Sequence, residues 1–199
     1  MLGVMRFLLV CHLLLCSTGC FRTLPREPVA STDAGGGWSR IDQPGWIACE
    51  MPSHPSFDVR AIAATWGAFD AKHAVTMDGG TRYELMYAAV PNLPNAEAVF
   101  AETRANRVHG RGVTIRAERR FEVAGAPALE LELSLAPGSE FNGTTAEVIS
   151  RSWVIVESTR YFQIAATGSA GALRPQDVQR FFGSAAVPRP LAAKSHAQS

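Results

Sequence analysis

The chain has 199 residues, 47% of them hydrophobic, with 19 basic and 18 acidic side chains and a formal net charge of +1. That length holds one domain of ordinary size plus tails, and that apolar fraction sustains a core. Charge so nearly balanced gives no electrostatic reason to expect nucleic acid or an acidic membrane surface as a partner. The first element in chain order is a leader. Arg6 precedes an apolar run from Phe7 to Leu15, broken by Cys11 and His12, and the small residues Ser17, Thr18 and Gly19 follow. A run that short falls below the roughly 20 apolar residues of a spanning helix, so residues 1–19 read as an export signal.

The junction Ser17-Thr18-Gly19-Cys20 resembles the lipobox of bacterial lipoproteins, with Ser17 standing where that family usually has Leu. The resemblance implies a diacylglycerol thioether on Cys20 and a firm anchor in a membrane of the bacterial cell envelope. Ser17 and Gly19 also satisfy the small-x-small rule of ordinary signal peptidase. In that alternative the product is secreted or periplasmic and soluble, with Cys20 free or paired with Cys49. Residues 20–37 are rich in Pro, Ser, Thr, Ala and Gly and end in Gly35-Gly36-Gly37, the composition of a flexible tether. Residues 38–187 are expected to form a single domain. The polar, small residues 188–199 are expected to form a disordered tail.

Within the domain, period-two alternation dominates. Trp46 to Glu50, stopped by Pro52, reads as a short first strand, and Lys72 to Met77, stopped by Asp78-Gly79-Gly80, as another. Tyr83 to Val90 alternates in a way that covers both faces. Asn95 is a good helix N-cap, with Ala96, Val99, Phe100 and Thr103 as the apolar stripe behind it and Gly110 and Gly112 as the stop. A strand from Val113 through Val123 turns at Gly125-Ala126-Pro127 into Leu129, Leu131, Leu133 and Leu135, which alternate with Glu130, Glu132 and Ser134. Ile149–Val156 and Tyr161–Ala166 read as a hairpin. A last helix begins near Pro175, buries Val178, Phe181 and Phe182, and stops at Gly183. The expected fold is α+β, an antiparallel β-sheet of about six strands flanked by two helices.

The segments "RYELMYAAVP", "VAGAPALELEL", "ESTRYFQIAATG" and "DVQRFFGSAAV" follow one another in an order that resembles the PsbP/Mog1-like α+β sandwich group, especially its small exported bacterial members. The resemblance runs over most of residues 38–187, with Ser184-Ala185 at the position of a more usual Ser-Phe. It implies a binding or assembly module and brings no shared catalytic residues.

The chemistry-bearing residues form no recognisable catalytic constellation. Cys49, His54 and His73 lack the spacing of a metal site, and neither a Cys-x-x-Cys pair nor a G-x-S-x-G elbow occurs. Glu130 and Glu132 lie on one strand face and are expected to be solvated. Arg116, Arg119 and Arg120, interleaved with Glu118 and Glu122, are expected to pair across strands. His109-Gly110-Arg111-Gly112 is expected to be a loop ending a helix rather than an anion cradle. Trp38, Trp46 and Trp153 fit a core or rim. Trp66-Gly67-Ala68-Phe69 lies between strands, which makes Trp66 and Phe69 the candidate partner contact. These readings lead to an expected non-catalytic envelope lipoprotein without cofactor or metal, binding an envelope protein or a small ligand. The alternative is a hydrolase-like envelope enzyme whose site leaves no sequence signature.

Overall fold

The computed structural model describes residues 30–109, 112–138, 142 and 144–188. The leader, Cys20, Gly110, Arg111 and the tail from residue 189 lie outside the described residues. Three strands, β1 (Ala30–Gly35), β2 (Trp38–Gln43) and β3 (Ile47–Pro52), form a small antiparallel sheet in that order. The main sheet uses β4 (Ser56–Ala64), β5 (Gly67–Asp78), β6 (Thr81–Ala89), β7 (Val113–Val123), β8 (Ala126–Leu135), β9 (Val148–Glu157) and β10 (Arg160–Ser169). Its spatial order is β4-β5-β6-β10-β9-β8-β7, all antiparallel. Helix α1 (Ala96–Val108) follows β6, and α2 (Pro175–Gly183) follows β10.

Three expectations change. The sheet has seven strands rather than about six, and a second, three-stranded sheet accompanies it. The glycine-rich end of the supposed tether is ordered: β1 pairs with β2 from Ala30↔Asp42 to Gly35↔Trp38, so the domain starts before Trp38. Gly35, Gly36 and Gly37 all have positive φ, so what composition presented as a flexible spacer is the turn of a hairpin. Gly183 is the last helical residue of α2 rather than the residue beyond it, and Ser184 is the C-cap.

The layers follow from register. Directly opposed residues share a face, so Tyr83, Leu85 and Tyr87 of β6 line up with Phe162, Ile164 and Ala166 of β10 on one side. That side carries the larger core cluster, closed by Trp38, Ile41, Ile47 and Met51 of the small sheet and by Val178, Phe181 and Phe182 of α2. The other side packs Leu129, Leu131, Val154 and Val156 against Val99 and Phe100 of α1.

Both helices start where their local chemistry dictates. The Asn95 side chain accepts a hydrogen bond from the Ala98 amide at 2.9 Å, and Pro175 occupies the first turn of α2. Beyond α2, Ala186 bridges Ala48 on β3, and Ser184 Oγ accepts the Glu50 amide at 2.8 Å. Arg180 then ties α2 to the small sheet. Its guanidinium lies 4.6 Å from the Trp38 ring centroid and donates to Glu50 at 2.8 Å and to the Ala34 carbonyl at 3.2 Å.

Phe181 meets Tyr83 edge-on at 5.2 Å, and Phe182 meets Trp153 at 4.9 Å. Both phenylalanines are buried, so Phe181→Ala and Phe182→Ala should each cost about 3–5 kcal/mol. Denaturant unfolding should read that loss as a lower midpoint at an unchanged slope. Near-neutral results at both positions would show that α2 is not a core helix.

Candidate functional site

Three places combine polar chemistry with partial burial. The first is on the α1 side of β4, β5 and β6. His73, whose side chain is fully buried, has Nδ1 2.8 Å from Asp58 Oδ1 and Nε2 3.1 Å from Glu84 Oε1. Each ring nitrogen therefore faces a carboxylate oxygen, and the imidazole is clamped between β4 and β6. Arg82 completes the row with a 2.8 Å bond to Glu84. Burial acts to raise the Glu84 carboxyl, but His73 and Arg82 outweigh it and bring it down to about 2. The three strands bring together residues that sequence spacing leaves unrelated. Among the described residues, no group of three or more His, Cys, Asp or Glu is placed to hold a metal ion.

The second place is the opposite face, at β7, β8 and β9. Glu130 is not solvated, because its strand position lies beside α2 rather than in open water. It is 8% exposed. It accepts from Arg119 Nε at 2.9 Å and Nη2 at 2.7 Å, and from Arg151 Nε at 2.6 Å. Burial pushes its carboxyl up, and the two arginines more than reverse that. Glu132, more exposed, pairs with Arg116 at 3.6 Å. The arginine cluster thus pairs across strands as expected, chiefly with the two glutamates of β8. Arg120 instead reaches Glu97 and the Phe100 ring of α1.

Beside this ladder runs an open groove of about 610 Å³ between α2 and β8–β9. Ile149, Trp153, Leu173, Val178 and Phe182 give it an apolar floor, while Arg151, Glu132 and Gln179 stand at its rim. Arg151 also lies 5.1 Å from the Phe182 ring centroid. Alternation assigns Ile149, Arg151 and Trp153 to one strand face, but only the docking of α2 turns that face into a groove wall.

The third place is the β4–β5 hairpin tip. Trp66 and Phe69 stack at 5.0 Å with 14° between planes, and Phe69 meets Tyr161 edge-on at 5.8 Å. Thr65 donates through its amide and hydroxyl to Glu102 of α1 at 2.7 and 2.6 Å. Trp66 and Phe69 are half-buried and pin the hairpin onto α1 and β10. Elsewhere, Cys49 is fully buried, and desolvation pushes its thiol up to about 12. His54 is exposed, with Nδ1 3.5 Å from Ser39 Oγ.

No family model matches the sequence, and no curated protein matches it. Solved structures similar to this chain include PA94, a protein of unknown function from Pseudomonas aeruginosa. It is 13% identical with a TM-score of 0.42, over 78% of this chain and 100% of that one. A cyanobacterial PsbP from Synechocystis is 11% identical with a TM-score of 0.47, over 79% and 98%. The T6SS immunity protein TplEi from P. aeruginosa is 14% identical with a TM-score of 0.43, over 71% and 52%. The resemblance read from the sequence named the PsbP/Mog1-like group, and a PsbP is among these structures. At such identities and TM-scores the likeness carries nothing about partner or activity.

Glu84 carries a pH dependence of defined sign. Its folded-state carboxyl titrates at about 2 against an ordinary value of 4.5, so the charged form stabilises the fold above pH 4.5. That contribution is lost as pH falls through about 2. Glu84→Gln should remove a loss on the order of 2 kcal/mol between about pH 5 and about pH 2. Denaturant midpoints of both proteins across that range would show it. Parallel curves would mean that Glu84 does not hold the His73 row.

Proposed function

We propose that this protein is a non-catalytic module of the bacterial cell envelope. In this reading it is held to a membrane by lipid on Cys20 and receives an extended segment of a protein partner in the groove beside α2. The groove carries the proposal. Its floor of Trp153, Phe182, Val178, Leu173 and Ile149 suits an apolar or aromatic side chain. Its nearest strong charges are already paired, Arg151 and Arg119 with Glu130, so the rim offers no surplus charge for a phosphate. Gln179, exposed on α2, is free in orientation to meet a main-chain amide.

The engagement of the reactive side chains supports binding over catalysis. Both nitrogens of His73 are committed to carboxylates, and the Cys49 thiol is enclosed and held neutral. The Gly19-Cys20 junction of the leader supports attachment at Cys20, and no helix among the described residues is long and apolar enough to cross a membrane. In this reading Trp66 and Phe69 serve the partner indirectly, by fixing the hairpin.

Cys20→Ala should release the protein from the membrane fraction and change its processing. A mutant that stays with membranes and matures as before removes the lipid from the proposal. For the groove, a photo-reactive residue at Gln179 of the full chain should give a discrete adduct in cells. Ile149→Glu, which charges the groove floor, should abolish it. The same probe at Thr114 on β7 should not give that adduct. Identical adducts at both sites, or an adduct indifferent to Ile149→Glu, would overturn the groove. Turnover of an envelope substrate by the purified protein would favour the enzyme alternative.

A further inference from the structure

The two edges of the main sheet are built differently. β7 carries Arg116, Glu118, Arg119, Arg120 and Glu122, and its pairing with β8 shifts register between Ile115 and Ala117. Charge and a bulge are the usual devices that keep an edge from pairing. β4 has neither in quantity. It runs nine residues, Ser-Phe-Asp-Val-Arg-Ala-Ile-Ala-Ala, in unbroken register with β5. Its two charges, Asp58 and Arg60, have opposite sign and flank Val59, which is 53% exposed.

The hairpin turns determine which main-chain groups of β4 are unused. Two-residue turns make Ala64↔Gly67 and Asp78↔Thr81 closing pairs that exchange both main-chain bonds. Alternation from either turn gives one answer. β5 bonds to β6 through its even-numbered residues and to β4 through its odd-numbered ones. The β4 residues facing β5 are therefore Asp58, Arg60, Ile62 and Ala64. The amides and carbonyls of Phe57, Val59, Ala61 and Ala63 point outward.

We propose that β4 is a homodimer interface, pairing antiparallel with β4 of a second copy about a two-fold axis at Val59. A two-fold axis perpendicular to the sheet keeps like faces together, so opposed residues must have the same parity. Centred on Val59, the pairs are Val59 with Val59, Phe57 with Ala61, and Asp58 with Arg60. The outward amides and carbonyls of Phe57, Val59 and Ala61 then find each other. Both charges are matched twice, by symmetry. Centring on Phe57 or Ala61 leaves Asp58 and Arg60 without opposite partners, and centring on Arg60 sets like charges face to face. The charge pattern thus selects one register. His73 holds Asp58 Oδ1, leaving Oδ2, which in a single chain lies 3.5 Å from Arg60 of the same strand. Arg60 has only to exchange that contact for the equivalent one across the axis.

The register makes the test specific. In a doubly hydrogen-bonded pair the Cα atoms lie about 5.5 Å apart, within disulfide range. In the full chain, Val59→Cys should oxidise to a disulfide-linked dimer above the level of the unaltered chain, which carries the same native cysteines. Ala61→Cys should not, because its symmetry mate lies roughly 14 Å away along the strands. Adding Arg60→Asp to Val59→Cys should suppress the dimer by opposing like charges. Val59→Pro removes an amide that the chain's own ladder leaves unused, so it should halve the sedimenting mass of the full chain without changing its circular dichroism. Equal cross-linking at Val59 and Ala61, or a native-spectrum chain that sediments as a monomer without substitution, would overturn the proposal.

Discussion

A seven-stranded antiparallel sheet with apolar side chains on both faces must be covered twice, and neither helix is long enough to do it alone. Adjacent strands lie about 4.8 Å apart, so the sheet is about 29 Å across from first strand to last. α2, with nine residues, reaches about 13 Å. The small sheet makes up the difference over β5, β6 and β10, with Trp38, Ile41, Ile47 and Met51 facing the same cluster as Phe181 and Phe182. On the other face α1 reaches about 20 Å, and the β4–β5 hairpin folds against it through Thr65, Trp66 and Phe69. Arg180 joins the first of these covers and Glu102 the second, each linking a helix to strands far away in sequence.

The same need for cover explains the polar rows. Polar residues on a strand face beneath or beside a layer lose water and must find partners within the protein. His73 does so between Asp58 and Glu84, and Glu130 between Arg119 and Arg151. Both rows run across the strands, perpendicular to the chain, so each adds cross-strand pairing to main-chain pairing.

Incomplete cover also places the proposed surfaces. α2 ends before it has shielded β8 and β9, and the uncovered apolar strip beside it is the groove. Beyond the reach of either cover, the outermost strands meet solvent along one side. β7 meets it with five charges and a register shift, β4 with Val59 between one acid and one base. The groove beside β8 and β9 and the edge strand β4 lie toward opposite ends of the main sheet.

Much of the architecture was legible in the chain itself. Both helices announced themselves through Asn95, Pro175 and their apolar stripes, and the hairpin of β9 and β10 through its uninterrupted alternation. These signals are local, since capping and alternation act within a few residues. β1 was masked by glycines whose composition suits a spacer, although their positive φ makes a turn once Trp38 has a core to enter. β4 was missed because an edge strand that is nowhere more than half-buried has little buried periodicity to display. Glu130 looked solvated because the sequence shows its alternation with leucines but not the helix that lies beside it. The His73 clamp, the groove and the contrast between the two edges depend on which strands become neighbours. Strand order in an antiparallel sheet is decided by long-range packing, so only the tertiary structure could settle them.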